Sequence, residues 1–263
     1  PKIEPLNSDD PCHYLSSKKI GEIFFKSCLE DKNKYKPNFY LIGDSHAQML
    51  QYGLRDALNI LGYDFYWIHN NGMNKIIKNG QLTIPELDYL KDKLSGGARG
   101  DVLAFTFYRG KLNDNIEINL KEKVSDSQKN KVQNFENFFL KNINKLLDED
   151  IKIILINDGP RLKLNLRAQV CLIRERLSGS DPCALSEIDS KIDRTQMTKL
   201  FSNLSSISKN IFILDYHDQI CNNVCTYQNE EYFIMTDFNH ITKEASYNLS
   251  NFWQSELKSI LEE

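Results

Sequence analysis

Two strand-length segments near the middle of the chain, Val102–Tyr108 and Ile151–Asn157, are apolar at nearly every position. A strand with one face in water alternates apolar and polar residues, whereas a strand covered on both faces is apolar throughout. The stretch between them, Ser127–Asp150, repeats its apolar residues at helical spacing. A helix that links two buried strands is typical of parallel sheets. The pattern therefore predicts a parallel sheet with helices on both faces.

The same alternation of strand and helix extends along most of the chain. Three further strand-sized apolar runs are Phe39–Ile42, Tyr63–His69 and Ile211–Asp215. Helical patterns follow the strands, and the last helix is predicted to begin after Thr242, a common N-cap residue. Residues 158–182 are predicted to be a long loop at the edge of the sheet. The order predicts an α/β fold with a central parallel sheet.

Length and composition favour one domain with an N-terminal extension. The 263 residues, 41% of them hydrophobic, can form one sizeable core. Residues 1–37 are polar and carry four prolines, so we expect an extension there and a single domain over 38–263. The net charge of −3, with scattered basic residues, argues against a nucleic-acid partner. Because the chain starts at Pro1 without a signal-like segment, we expect a fragment or a processed form.

The six cysteines form three pairs that are local in sequence. These pairs are Cys12 with Cys28, Cys171 with Cys183, and Cys221 with Cys225. The last pair has a spacing near that of zinc ligands, but no second close pair completes a set of four. Three disulfides in an oxidising compartment, the periplasm or cell exterior, fit better. The alternative is a set of unpaired cysteines in a cytosolic protein.

A turn that contains a serine lies between the first strand and the first helix. Phe39–Ile42 leads directly into Gly43, Asp44, Ser45 and His46. The glycine permits a tight turn, and the first backbone N–H groups of a helix point towards whatever is bound to a serine placed there. Ser45 is therefore a candidate nucleophile. The alternative is an ordinary Asx turn without a catalytic role.

A carboxylate and an imidazole lie three residues apart near the C-terminus, at Asp237 and His240. A serine hydroxyl needs a base to remove its proton, and an imidazole oriented by a carboxylate is the usual arrangement. We therefore expect His240 to act as the base for Ser45, with Asp237 as its orienting partner.

Three further residues are candidates for oxyanion or substrate contacts. Gly72 follows the second strand and can bring a backbone N–H close to a ligand, although a plain turn glycine is the alternative. Arg109 follows the third strand, at the edge of a parallel sheet where ligands bind, and its alternative is a solvated loop cation. His46 lies beside the nucleophile and either lines the pocket or is partly buried near the helix start.

These motifs together resemble the SGNH hydrolase superfamily from Asn38 to the C-terminus. Within it, the chain looks like the soluble domain fused to acyltransferase-3 membrane proteins, which O-acetylate bacterial surface polysaccharides. In that group the nucleophile motif also reads Gly-Asp-Ser-His, here Gly43 to His46. A cysteine pair before the Asp-x-x-His, here Cys221 and Cys225, is another shared trait.

The resemblance implies an SGNH-type three-layer α/β/α sandwich with Ser45 as nucleophile. It also assigns Gly72 as an oxyanion donor beside the serine N–H. The asparagine that supplies a third donor in the superfamily is not found directly after the third strand. Asn113 comes several residues late, so either the loop returns it to the site or Arg109 replaces it.

The resemblance further implies transfer of an acetyl group, through an acyl-serine, to a sugar hydroxyl of a surface glycan such as lipopolysaccharide O-antigen. The domain would bind no cofactor and no metal, and the acetyl donor would arrive through an N-terminal acyltransferase-3 membrane domain absent from this chain. The domain would be a periplasmic monomer, tethered to the inner membrane in the full-length protein.

Four alternatives remain open at the level of sequence. A stand-alone carbohydrate acetyl esterase would use the same serine, histidine and aspartate. A metallophosphoesterase shares the Gly-Asp-x-His pattern but lacks the companion metal motifs here, and an α/β-hydrolase elbow would need a glycine at Ala47. A glycan-binding module without activity would use the aromatic residues Tyr66, Trp67 and Tyr108 to stack on sugars. The favoured interpretation is that these side chains belong to the core around the strands.

Overall fold

The computed structural model describes residues 36–69, 73–82, 87, 90, 94, 100–112, 125–147 and 151–262. Nearly all of the predicted extension over 1–37 lies outside these residues, as do the Cys12 and Cys28 pair, Gly72 and Asn113.

Five parallel strands form the central sheet, in the spatial order β2-β1-β3-β4-β6. These strands are β1 (Asn38–Gly43), β2 (Asp64–His69), β3 (Val102–Thr106), β4 (Lys152–Ile156) and β6 (Ile211–Leu214). Two short strands, β5 (Leu185–Ser186) and β7 (Val224–Cys225), pair with each other in an antiparallel arrangement. The predicted parallel sheet is confirmed.

Eight α-helices lie wholly among the described residues. They are α1 (Ser45–Ile60), α2 (Met73–Asn79), α3 (Asp126–Leu147), α4 (Ala168–Ser178), α5 (Glu187–Ser205), α6 (His217–Ile220), α7 (Lys243–Asn248) and α8 (Ser250–Glu262). A 3₁₀ turn over Arg109–Lys111 follows β3. Within the described ranges, no helix has both the length and the hydropathy that crossing a bilayer requires.

The sheet buries side chains on both faces, as the unbroken apolar runs predict. Along β1, Tyr40 and Ile42 join one buried cluster, whereas Phe39 and Leu41 join the other. Helices α2, α3 and α5 contribute to the first cluster, and α1, α4, α7 and α8 to the second. Each large apolar side chain buried in this way stabilises the fold by about 1.5–3 kcal/mol. The molecule is therefore a three-layer α/β/α sandwich.

Helices α1 and α7 approach each other closely at Gly53. A Cβ on Gly53 would lie 1.9 Å from the Ser246 carbonyl oxygen, so only glycine permits this contact. The Gly53 backbone N–H donates to Ser246 Oγ at 3.1 Å, and the fully buried Trp253 packs nearby. Because α1 begins at Ser45 and α7 begins at Lys243, shortly after His240, this contact holds the two segments that carry Ser45 and His240 close together.

The structure corrects the expected loop over 158–182, because α4 lies within it. Only Ala168 and Cys171 of this helix are buried, so the apolar periodicity that would predict a helix here is weak. Gly179 ends the helix in the left-handed conformation, with φ of 74°. The predicted terminal helix is two helices, α7 and α8, although Thr242 caps the first as expected by accepting from the Ala245 N–H.

Two of the predicted disulfides are confirmed. Cys171–Cys183 joins α4 to the segment before β5, and Cys221–Cys225 joins the end of α6 to β7. Tyr66 and Trp67 are buried, in agreement with their interpretation as strand core.

Candidate active site

Ser45 begins α1 immediately after β1 ends. Asp44 is the N-cap, and its Oδ1 accepts from the His46 N–H at 2.9 Å. Gly43 permits the close turn, because a Cβ there would lie 2.1 Å from the Thr106 carbonyl oxygen and 2.6 Å from Ala47 Cβ. The turn therefore places the Ser45 hydroxyl at the carboxyl edge of the sheet, where parallel sheets bind ligands.

His240 reaches Ser45 from a loop that precedes α7. Its Nε2 lies 2.9 Å from Ser45 Oγ, and its Nδ1 lies 2.9 Å from Asp237 Oδ2. The backbone N–H groups of Asn239 and His240 donate to Asp237 Oδ1 at 3.0 Å and 2.9 Å. The carboxylate therefore holds both the loop and the imidazole. This geometry gives a continuous serine–histidine–aspartate hydrogen-bond chain.

The surrounding carboxylates strengthen His240 as a base. Burial alone would lower the pKa of His240, but the Asp237 hydrogen bond and the negative charges of Asp237, Asp158 and Asp44 raise it above its ordinary value. Burial would also raise the pKa of Asp237, but hydrogen bonds from His240 and from backbone N–H groups lower it. Asp237 is therefore ionised at neutral pH and stabilises a protonated His240.

A cavity of about 390 Å³ opens beside Ser45 and His240. Its lining consists of Asp44, Ser45, His46, Tyr108, Lys111, Asp237, Phe238, Asn239 and His240. A larger cavity of about 490 Å³ lies against α5 and the end of β6, but Ser45, Asp237 and His240 do not line it. The smaller cavity is therefore the candidate substrate site.

His46 links the nucleophile turn to two other segments. The His46 Nδ1 lies 2.7 Å from Asp158 Oδ1, and because a carboxylate can only accept, Nδ1 carries the proton. The Asn239 amide lies 3.2 Å from His46 Nε2. The His46 ring centroid is 4.8 Å from that of His240 and 4.7 Å from that of Tyr108. His46 is therefore buried in the wall of the cavity and tied to the end of β4 and to the His240 loop.

Arg109 is buried behind His46 and does not line the cavity. Its Nη1 donates to Asp158 Oδ2 at 2.9 Å and to the Gly159 carbonyl at 2.6 Å, and its Nε donates to Asp193 Oδ2 at 2.7 Å. Only 2% of Arg109 is exposed, so the alternative of a solvated cation is wrong. Burial lowers the pKa of Arg109, but the charges of Asp193 and Asp158 raise it by more. Arg109 therefore holds Asp158, which in turn contacts His46 in the wall of the cavity.

Asp158 is the centre of this buried charge network. Burial would raise its pKa, but His46, the Arg109 guanidinium and the Arg109 backbone N–H hold it well below its usual range. The network continues from Asp193 Oδ1, which accepts from Arg161 Nη2 at 2.6 Å. Asp158 was not among the predicted site residues, although it directly follows an apolar segment, which is the same signal that identified Arg109.

Asp44 connects the nucleophile turn to the segment after β3. Its Oδ2 accepts from the Tyr108 N–H at 3.2 Å and forms an ion pair with Lys111. Burial would raise the pKa of Asp44, but His46 and Lys111 lower it. Lys111 and Asn239 were not among the predicted site residues, because the Lys111 ion pair with Asp44 and the contact of the Asn239 amide with His46 join positions that are distant in sequence.

Four of the six predicted site residues therefore line one cavity, namely Ser45, His46, Asp237 and His240. Arg109 lies behind it, and Gly72 is outside the described residues. The family model of the SGNH domain, a domain fused to AT3 domains, matches residues 11–255. The chain is a member of this SGNH family.

A solved structure shows the same fold as this SGNH domain. The periplasmic domain of the lipopolysaccharide acetyltransferase from Salmonella ser. Paratyphi A is similar, with 17% identity, a TM-score of 0.59, and coverage of 94% of this chain and 91% of that one. The C-terminal catalytic domain of Streptococcus pneumoniae peptidoglycan O-acetyltransferase A shows 12% identity, a TM-score of 0.40, and coverage of 86% and 93%. The second similarity is too weak to carry an argument. No match was found among curated protein sequences.

Proposed function

We propose that this SGNH domain transfers an acetyl group through an acyl-Ser45 intermediate to a sugar hydroxyl of a bacterial surface glycan such as lipopolysaccharide O-antigen. The hydrogen-bond chain from Asp237 through His240 to Ser45 is the observation that carries the proposal. Membership of a family whose domain is fused to AT3 domains supports acyl transfer. The similarity in fold to the Salmonella lipopolysaccharide acetyltransferase domain supports a glycan acceptor.

In the first half-reaction, Ser45 Oγ attacks the carbonyl carbon of an acetyl donor. The Ser45 proton passes to His240 Nε2, and Asp237 stabilises the imidazolium through Nδ1. The proton then passes to the leaving group as the donor bond breaks. The products are acetyl-Ser45 and the free leaving group, with His240 neutral again.

The oxyanion that forms during the attack needs backbone donors. Ser45 is the first residue of α1, so its backbone N–H has no partner within the helix and points into the turn. We assign Gly72 as the second donor on the basis of the SGNH resemblance. Because Arg109 lies behind His46, it is not the third donor in this proposal. Asn113 is then the remaining candidate for the third donor.

In the second half-reaction, His240 removes the proton of an acceptor hydroxyl, which attacks acetyl-Ser45. A sugar hydroxyl gives acetyl transfer, whereas water gives hydrolysis. The cavity beside Ser45 is large enough to position part of a sugar there. The acetyl donor would come through a membrane domain of the acyltransferase-3 type, and this domain would bind no cofactor. It would act as a periplasmic monomer tethered to the inner membrane.

Glycan analysis of cells that produce the full-length protein tests this function. With the wild-type protein, mass spectrometry of the surface polysaccharide should show O-acetyl groups, and with Ser45→Ala they should be lost. Arg55→Ala, a change on α1 outside the cavity, provides a control that should retain them. Normal acetylation by Ser45→Ala would refute the proposal. If the isolated domain hydrolyses an acetylated glycan and transfers nothing to it, the esterase is the correct function.

A further inference from the structure

A histidine and two cysteines that the proposed reaction does not use lie together at the end of α6. His217, Cys221 and Cys225 follow each other at intervals of four residues, and all three are buried. The nearest ligand atoms of the three residues all lie within 4.8 Å of one another. We propose that, once the Cys221–Cys225 disulfide is reduced, these residues bind a zinc ion.

The backbone already holds the three side chains at ligand spacing. The Cys221 N–H donates to the His217 carbonyl at 2.8 Å, so these residues lie one helical turn apart on the same side. Val224–Cys225 is fixed by its antiparallel pairing with β5. His217 Nε2 lies 3.9 Å from Cys225 Sγ, close to the separation of two ligands around one tetrahedral zinc ion. The two sulfur atoms must separate from bonding distance to the distance between two ligands of one zinc ion, which reduction of the disulfide permits.

The contacts of His217 prepare the correct nitrogen for a metal. Its Nδ1 lies 2.8 Å from Asp218 Oδ1, and because the carboxylate accepts, Nδ1 carries the proton and Nε2 carries the lone pair. Ser190 Oγ lies 2.9 Å from Nε2 and donates to it. A carboxylate on the far nitrogen of a histidine is the usual partner of metal-binding histidines, where it fixes the tautomer and the ring orientation.

The disulfide controls whether the ligands are available. In the oxidised chain both sulfur atoms are bonded to each other, so neither is a thiolate. A dithiol or phosphine reductant supplies two electrons, and two protons are taken up, so that one disulfide becomes two thiols. Binding of Zn²⁺ then releases two protons as both thiols become thiolates. Imidazole and two thiolates are typical ligands of zinc, with an exogenous ligand in the fourth position.

The same residues also resemble a second catalytic triad, because Ser190, His217 and Asp218 form a hydrogen-bond chain. Ser190 has no exposed surface, so its hydroxyl cannot reach a substrate. The Nε2 lone pair accepts from this hydroxyl and lies 3.9 Å from Cys225 Sγ, so a zinc ion bound there would replace Ser190 as the partner of Nε2.

Zinc titration of the full chain, reduced with a phosphine under anaerobic conditions, tests the inference. We expect one zinc ion bound per reduced chain through this site and none in the oxidised chain, measured by competition with a chromophoric chelator and by elemental analysis. A variant with serine at Cys12, Cys28, Cys171 and Cys183 should keep that ion. His217→Ala should weaken binding at least tenfold, and Asp218→Asn about tenfold. His240→Ala, in the other site, should bind zinc normally.

Alkylation mapping provides a readout in the wild-type sequence, so the test does not depend on variants that fold poorly. Bound zinc should slow the alkylation of Cys221 and Cys225 and leave the alkylation rate of Cys171 and Cys183 unchanged. If the reduced chain shows no zinc-dependent protection of Cys221 and Cys225, the inference is wrong. Unchanged affinity in His217→Ala would also overturn it.

Discussion

His46 Nδ1 lies 2.7 Å from Asp158 Oδ1, although the two residues are 112 positions apart. This contact ties the helix that begins at Ser45 to the end of β4. The Asn239 amide extends it to the loop that carries Asp237 and His240. The geometry of the candidate active site therefore depends on a buried charge network as well as on the residues that line the cavity.

Replacement of the central carboxylate should destabilise the protein strongly. Asp158→Asn leaves the Arg109 guanidinium with less compensating charge in a buried position, and loss of a buried partner costs about 3–5 kcal/mol. Urea denaturation at neutral pH measures this loss. Asp126→Asn removes an exposed ion pair with Lys129 and should have no measurable effect. Equal stability of the Asp158→Asn variant and the wild type would contradict this account of the network.

The stability difference between the wild type and Asp158→Asn should depend on pH. Because the folded pKa of Asp158 is lowered, its contribution is fully present above the unfolded value of about 3.9. The contribution is lost as the pH falls from there towards the folded pKa. Unfolding curves at pH 7 and at progressively more acidic pH values should therefore converge for the two proteins. A constant difference over this range would show that charge is not the cause.

The activity should rise with pH as His240 loses its proton, because only the neutral imidazole can accept the Ser45 proton. The raised pKa of His240 places this rise above the ordinary histidine value. Asp237→Asn removes the negative charge that raises this pKa and replaces one of the two acceptor oxygens with an NH₂ group. The variant should therefore have lower kcat/KM for a chromogenic acetyl ester and an acid limb shifted to lower pH. An unshifted acid limb would mean that Asp237 does not set the pKa of His240.

Position 43, in the turn before Ser45, should accept only glycine. In Gly43→Ala the new Cβ would meet Thr106 and Ala47, and we expect a cost towards the upper end of about 1–3 kcal/mol together with loss of ester hydrolysis. Gly62→Ala is the matched control. Gly62 has φ of 83° and no neighbour within 4 Å of a built Cβ, so backbone strain alone should cost about 1–2 kcal/mol and leave activity unchanged. Thermal unfolding and ester hydrolysis of both variants check this.

The sheet and the serine–histidine pair could be predicted because their signals are local. The unbroken apolar runs indicate buried parallel strands, and Gly43 to His46 form a strand–turn–helix motif within a few residues. The Asp-x-x-His precedes a helix that Thr242 caps. Each of these patterns can be recognised from residues that are close in sequence, without knowledge of their tertiary contacts.

The buried network could not be predicted in the same way. That Asp158 meets His46 depends on the order of β1, β3 and β4 in the sheet, which brings together residues from distant segments. Arg109 shows the same limit, since its place at a strand end suggested a ligand contact, whereas Asp158 and Asp193 bind it inside the fold. Helix α4 was missed because most of its residues face solvent and lack an apolar stripe.

Trapping of the acyl-enzyme tests most directly whether Ser45 is the nucleophile that His240 activates. The domain is mixed with an activated acetyl ester, quenched in acid, and digested for peptide mass spectrometry. We expect one acetyl group on the peptide that contains Ser45, loss of this adduct in Ser45→Ala, and much slower formation in His240→Ala. An acetyl group on another residue, or equal rates of acetylation in the wild type and His240→Ala, would contradict it.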